Sequence, residues 1–237
     1  MAMNYELVEE LRTQFEAHAD PSAAAAMSRY MRNQFLFLGI ASPLRRSLER
    51  ELLAKLRRAD EPELTVVARY LWELPEREYQ YTALALLGRA AKRLSPASLE
   101  LCHDLIVLKS WWDTVDALAA QVVGIIVLGH PEEVARMDLW IESPHLWLRR
   151  SALIHQLKFK ERTDTDRLFH YCLLMASEKD FFIRKAIGWA LRQYSWTDPT
   201  AVREFVVANG ALLSPLSKRE ALLAINGRRM RSQSQSE

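Results

Sequence analysis

The chain has 237 residues, of which 49% are hydrophobic and 26% charged, the balance of a globular protein large enough to bury a substantial core. Its net charge of +2 does not by itself indicate a nucleic-acid partner, and its two cysteines exclude a disulfide framework or a cysteine metal cluster. No apolar run reaches the roughly 18 residues that a membrane span needs, and the N-terminus lacks a secretory signal. We therefore expect a cytoplasmic protein that makes no membrane contact.

Helical spacing of apolar residues recurs from the N-terminus onwards. It appears at Leu7, Leu11 and Phe15, then at Leu48, Leu52 and Leu56, and later at Leu153 and Leu157 and at Ile187 and Leu191. Start signals with a capping residue before a proline stand at Ser42-Pro43, Ser95-Pro96 and Asp198-Pro199. Because no segment alternates as a strand does, we predict an all-α protein of about a dozen helices.

One small residue recurs at a fixed interval. It stands at Ala83, Ala117, Ala152, Ala186 and Ala221, in steps of 34 or 35 residues, and Cys102 and Cys172 are 70 residues apart. A period near 35 in a helical chain is typical of stacked helical hairpins. The sequence therefore predicts an α-solenoid superhelix of HEAT-like hairpins with a concave DNA-binding face. It forms a single domain over residues 1–227, followed by a disordered basic and polar tail at 228–237.

Basic residues precede the recurrent alanine in the last three repeats. The pairs are Arg149-Arg150, Arg184-Lys185 and Lys218-Arg219, and ten basic residues outnumber five acidic ones between positions 145 and 195. Stacked in register, these side chains would form a ladder of positive charge suited to nucleic-acid phosphates. The alternative interpretation is a solvated face that only confers solubility.

The stretch KSWWDTVD, residues 109–116, interrupts this ladder. Trp112 lies four residues before Asp116, so both share one helix face, whereas Trp111 and Asp113 face elsewhere. We expect one tryptophan to pack and the other to be presented. A presented ring attracts cations and a carboxylate stabilises developing positive charge, so the pair suits a cationic group on a nucleic acid.

No pattern in the chain indicates a metal or a cofactor. The six histidines lack metal-ligand spacing, and no glycine-rich phosphate loop is present. We therefore expect neither a metal nor a cofactor.

The chain resembles the AlkD-type alkylpurine DNA glycosylases of the DNA alkylation repair family. The similarity is carried by MSRYMRNQFLFLGI (27–40), LIVLKSWWDTVD (105–116), WLRRSALIHQLKFK (147–160) and KDFFIRKAIGWALRQY (179–194). It runs from about residue 5 to about residue 225. The resemblance implies a bacterial repair enzyme that hydrolyses the N-glycosidic bond of cationic N3- and N7-alkylated purines in duplex DNA. It also implies that the base need not be flipped into a tight pocket, as other glycosylases require.

The resemblance also implies roles for individual residues. Asp116 would stabilise the sugar cation and position the attacking water, Trp112 and Trp189 would contact the deoxyribose of the damaged nucleotide, and Arg150 would hold the DNA backbone nearby. Asp116, Trp112 and Arg150 form the expected catalytic set. Further candidates for DNA contacts, several from the basic ladder, are Tyr30, Lys158, Arg184, Lys185, Arg192, Lys218 and Arg219.

The expected partner is double-stranded DNA that contains alkylated bases. We expect a monomer that is associated with the nucleoid while it is bound to DNA. Two alternatives use the same fold. A non-catalytic DNA-binding scaffold would bind DNA in a salt-dependent way without releasing a base, and a protein-interaction solenoid would have no DNA affinity even at low salt.

Overall fold

The computed structural model describes residues 2–233, and the side chains of residues 5–227. Within these residues the chain forms fifteen α-helices and short 3₁₀ turns, and one isolated bridge joins Leu36 to Glu76. The predicted all-α fold is confirmed. Contacts divide the chain into two units, of which the first ends at Leu105 and the second begins at Ile106.

The first unit contains the helices up to α7, which ends two residues beyond the boundary. They are α1 (Ala2–Ala17), α2 (Pro21–Tyr30), α3 (Ser42–Leu48), α4 (Arg50–Lys55), α5 (Glu61–Glu73), α6 (Arg77–Ala90) and α7 (Ser98–Val107). Asp60 caps α5 in a reciprocal pair with Glu63, which satisfies backbone donors at the start of the helix. The predicted cap at Ser42 is wrong by one residue, because Ser42 is the first helical residue of α3 and Ala41 precedes it.

The second unit repeats a helical hairpin. Its helices are α8 (Trp112–Leu118), α9 (Gly124–Gly129), α10 (Val134–Ile141), α11 (Leu146–Ile154), α12 (Thr165–Leu174), α13 (Phe181–Tyr194), α14 (Pro199–Ala208) and α15 (Pro215–Gln233). The helices α8, α11, α13 and α15 pack in succession, and α10, α12 and α14 each pack against the helix that follows. Asp198 caps α14 as the sequence predicts, since its side chain accepts from the backbone N–H groups of Thr200 and Ala201.

The recurrent alanine lies at the contact between neighbouring helices. Ala83, Ala152, Ala186 and Ala221 are fully buried, and Ala117 is half-buried. Side-chain contacts also join positions one repeat apart. Ser95 N–H donates to Glu61 across 34 residues in the first unit, and Arg162 donates to the carbonyl of Leu128 across 34 residues in the second. These contacts confirm the period of the hairpins.

Residues 112–129 form one continuous helix through α8, a π-helical turn at Ala119–Val123, and α9. By length and composition alone this helix is apolar enough to cross a membrane, although Asp113 and Asp116 interrupt its apolar residues. More than half of its residues are buried against other helices, as in the core helix of a globular protein.

The predicted C-terminal tail begins inside a helix. Residues 228–233 belong to the end of α15, and residues 234–237 lie outside the described residues.

Gly188, in the middle of α13, allows α13 and α15 to approach closely. A Cβ atom at this position would lie 2.4 Å from the Cβ of Glu220 and 2.9 Å from the carbonyl oxygen of Ser217. We expect Gly188→Ala to lower the free energy of unfolding by about 1–3 kcal/mol, as overpacking does, although alanine favours helices. Urea denaturation measures the change. Gly129→Ala is the control, because no atom lies within 4 Å of a Cβ there; an equal response of the two variants would contradict the close approach.

Candidate active site

The two tryptophans of KSWWDTVD diverge because α8 begins between them. Lys109 has a left-handed backbone with φ 51°, and the hydroxyl of Ser110 donates to the carbonyl of Ile106 at 2.6 Å, at the end of the preceding helix. Trp111 is extended and precedes the helix, whereas Trp112 is its first residue. The two rings therefore leave the backbone in different directions.

Trp111 packs into an aromatic cluster. Its ring centroid lies 5.7 Å from that of Trp147 and 5.1 Å from that of Phe182, and the latter two are 4.9 Å apart. Trp111 and Trp147 are 9% and 7% exposed. Because the cluster joins the start of α8 to α11 and α13, it sets how these three helices meet.

Trp112 lines an open cleft of about 290 Å³ in the second unit. The cleft is formed by α8, α11 and α13, and its lining residues are Trp112, Asp116, Arg150, Phe181, Phe182, Lys185, Trp189 and Arg192. The structure thus brings together all three expected catalytic residues and three of the expected DNA-contacting residues.

Asp116 and Arg150 form a two-pronged ion pair at the cleft. Nε and Nη2 of Arg150 each donate to one carboxylate oxygen at 2.7 Å, and Nη1 donates to the carbonyl of Phe182 at 2.5 Å. The Arg150 side chain is 4% exposed and that of Asp116 is 15% exposed. The carboxylate is therefore fixed in orientation and still reaches the cleft, as a preorganised charge requires.

Burial raises the pKa of Asp116 above its ordinary value, although the hydrogen bonds and charge of Arg150 act in the opposite direction. Asp113, three residues earlier, adds a small effect that also raises this pKa. Desolvation penalises the charged carboxylate, so the ionised form is poorly hydrated. A cation placed in the cleft would relieve that penalty.

A second carboxylate holds two of the cleft's cations. Glu220 on α15 is 6% exposed and accepts from Lys185 at 2.7 Å and from Arg192 at 2.8 Å. Although burial raises the pKa of Glu220, Lys185 and Arg192 outweigh it, and the pKa lies below its ordinary value. Glu220 therefore stays ionised and positions both cations at the cleft.

The expected ladder of exposed positive charge is not continuous. Arg150 is buried against Asp116, and Nε of the half-buried Arg184 donates to a backbone carbonyl at 2.8 Å. Nζ of Lys218 also donates to a carbonyl at 2.8 Å, whereas Arg219 is exposed. The predicted ladder is therefore wrong at Arg150. The repeat register predicts where a residue lies on its helix, but not the side chain with which it pairs, which for Arg150 is Asp116.

Two further predicted contact residues lie away from this cleft. Lys158 is exposed at the end of the 3₁₀ turn that follows α11. Tyr30 belongs to the first unit, where it is 72% exposed at the end of α2. Their roles as DNA contacts stay predictions.

Sequence reasoning missed the roles of Phe182 and Glu220. Phe182 supplies both a ring of the aromatic cluster and the carbonyl that accepts from Arg150. Glu220 stands immediately before the recurrent Ala221, in the same register as Asp116 before Ala117. That shared register was the available signal for a second carboxylate near the cleft.

Among the described residues, no three His, Cys, Asp or Glu side chains converge to hold a metal ion. The chemistry available at the cleft is that of a fixed carboxylate, two indole rings and two cations. Such a set can hold a cation between aromatic rings and bind an anionic group beside it.

Comparison with known proteins gives a consistent result. A model of the DNA alkylation repair enzyme family matches residues 11–225. A solved structure described as a predicted DNA alkylation repair enzyme from Enterococcus faecalis is 36% identical, with a TM-score of 0.80, over 86% of this chain and 95% of that chain. No match is found among the curated proteins.

More distant structures share the fold. AlkD2 from Streptococcus mutans has a TM-score of 0.58 at 20% identity, over 74% of this chain and 86% of that chain. The protein smu.31 from Streptococcus mutans UA159 has the same TM-score at 19% identity, over 74% and 89% of the two chains. With the family model matched over most of the sequence, the chain belongs to the DNA alkylation repair enzyme family.

Proposed function

We propose that the protein is a DNA glycosylase that hydrolyses the N-glycosidic bond of cationic N3- and N7-alkylated purines in duplex DNA. The observation that carries the proposal is the Asp116–Arg150 pair at a cleft lined by Trp112 and Trp189, in a chain of the DNA alkylation repair family. We further propose that it acts as a monomer in the cytoplasm and needs no cofactor.

In the proposed reaction the bond between C1′ of the sugar and the purine nitrogen breaks first. Its electron pair moves to the base and neutralises the positive charge there, while positive charge develops on the sugar. The ionised Asp116 stabilises that sugar cation, because an anion fixed by Arg150 needs no reorganisation. A water that Asp116 positions then adds to C1′ and loses a proton to the solvent.

The aromatic and basic side chains supply binding in this mechanism. Trp112 and Trp189 line the cleft, and their rings would contact the sugar as it becomes cationic. Lys185 and Arg192, held by Glu220, would bind the phosphates beside the damaged nucleotide. Binding the sugar and phosphates in an open cleft leaves the base outside a tight pocket.

The test is base release from methylated duplex DNA. Purified protein should release 7-methylguanine or 3-methyladenine, measured by chromatography of the free base against the spontaneous rate. A scaffold that binds DNA without cleavage would give salt-dependent binding and no release above that rate.

The raised pKa of Asp116 predicts a pH dependence. Because only the ionised carboxylate stabilises a cation, the rate of 7-methylguanine release should fall with decreasing pH, with a midpoint above the ordinary value of 3.8. The 7-methylguanine lesion keeps its positive charge as the pH falls below neutral. The titration of the enzyme therefore determines how the rate depends on pH. Single-turnover rates measure it, with circular dichroism to confirm that the fold persists. Asp113→Asn should move the midpoint to lower pH, and a rate that is flat down to pH 3.8 would contradict the assignment.

A further inference from the structure

Four arginines surround a pocket in the first unit, within the part of the chain whose side chains the structure describes. The pocket has a volume of about 230 Å³, and its apolar lining includes Leu53, Leu56 and Leu86. The arginines are Arg50 on α4, Arg57 on the following 3₁₀ turn, Arg89 on α6 and Arg93 on the 3₁₀ turn after α6. The lining contains no acidic residue.

These four side chains keep their charge available. All four residues are exposed, and within the described residues none of them lies within ion-pair distance of a carboxylate. Arg93 donates to the carbonyl of Ala59. Burial raises the pKa of Glu49 above its ordinary value. Arg45 and, more weakly, Arg89 act in the opposite direction through their positive charges. A group of like charges without ion-pair partners is unfavourable in the free protein and favours an anionic partner.

The repeat register relates this cluster to the candidate active site. Arg89 follows the recurrent Ala83 by six residues, and Arg192 follows Ala186 by the same interval. Arg192 lines the cleft that contains Asp116. Lys158 stands at the same interval after Ala152. The sixth residue after the recurrent alanine is therefore basic in three of the five repeats, and these three include both units.

We propose that Arg50, Arg57, Arg89 and Arg93 form a second binding site for the phosphates of a DNA backbone, in the first unit and separate from the reacting centre. The inference rests on the proposed function only for the identity of the anion. Guanidinium groups bind phosphate oxygens through two parallel hydrogen bonds, so arginine suits this task better than lysine. Such contacts add affinity without reading base sequence.

The experiment is a salt titration of binding to an undamaged DNA duplex, measured by fluorescence anisotropy. We expect Arg57→Gln with Arg89→Gln to weaken binding about tenfold and to reduce the slope of log affinity against log salt by about 0.9 for each lost contact. The matched control is Arg58→Gln with Lys92→Gln. These two residues are exposed next to the cluster, and the control removes the same charge without touching the pocket.

The outcomes separate this inference from the proposed function. Weaker binding and a smaller slope for the pocket variant alone would support the site, whether or not the wild type releases methylated bases. Equal affinity of wild type and pocket variant, or an equal loss in pocket variant and control, would overturn it. The rate of base release at saturating DNA should be unchanged in the pocket variant, because none of the four arginines lines the cleft of Asp116.

Discussion

Asp116→Asn is expected to reduce the single-turnover rate of 7-methylguanine release at least about 10²- to 10³-fold, the loss seen when one preorganised electrostatic group is removed. The substitution keeps the size of the side chain but removes the negative charge that faces the cleft. It also turns an acceptor of two 2.7 Å hydrogen bonds from Arg150 into a group with only one acceptor oxygen. Binding of undamaged DNA should change little, because the proposed phosphate contacts belong to other residues.

Asp113→Asn is the matched control for this prediction. Asp113 lies on the same helix and undergoes the same chemical change, but it does not line the cleft. At neutral pH its variant should release bases at close to the wild-type rate. If Asp116→Asn stays folded and keeps a rate within twofold of the wild type, Asp116 is not the group that stabilises the sugar cation.

Arg150→Met is expected to lower the free energy of unfolding by about 3–5 kcal/mol, the range for breaking a buried ion pair on one side. The guanidinium is 4% exposed and makes hydrogen bonds to both oxygens of Asp116 and to the carbonyl of Phe182. Methionine fills most of the volume of the aliphatic stem but leaves a buried carboxylate and a carbonyl without these donors. Urea denaturation at neutral pH measures the loss.

Two further variants test the cause of that loss. Arg149→Met alters the neighbouring arginine, which donates to the carbonyls of Ser143 and Pro144, and should cost much less. Combining Arg150→Met with Asp116→Leu removes both charges and should recover part of the stability. A loss below about 1 kcal/mol for Arg150→Met, or no recovery in the double variant, would contradict a buried pair that holds the carboxylate.

The repeat architecture could be predicted because it depends on spacing. Helices that stack at a constant distance need a buried small residue every 34 or 35 positions. The spacing of Ala83, Ala152 and Ala186 therefore indicated the repeats. The pairing of Trp112 with Asp116 was predictable for the same reason, since four residues separate neighbours on a helix face. The family resemblance then predicted that Arg150 and Trp189 belong to the same site, and both line the cleft.

The partners of charged residues could not be predicted from register. Arg150 and Arg184 occupy equivalent positions, yet Arg150 is buried in an ion pair and Arg184 bonds a backbone carbonyl. The difference depends on Asp116, one repeat earlier, and on the start of α13, where the carbonyl oxygen of Phe182 lies 2.5 Å from Nη1 of Arg150. Long-range geometry of this kind has no signature in a single sequence. For Glu220 the register indicated a carboxylate near the cleft, but not its hydrogen bonds with Lys185 and Arg192.

The burial of the two cysteines determines how readily alkylating agents react with their thiols. Cys102 on α7 and Cys172 on α12 have no exposed surface, and burial raises the pKa of both thiols, that of Cys102 to about 12. The thiolate is the form that attacks electrophiles. At neutral pH both sulfurs are therefore protonated and inaccessible to the alkylating agents that damage DNA. Neither cysteine therefore offers a nucleophilic thiolate to those agents.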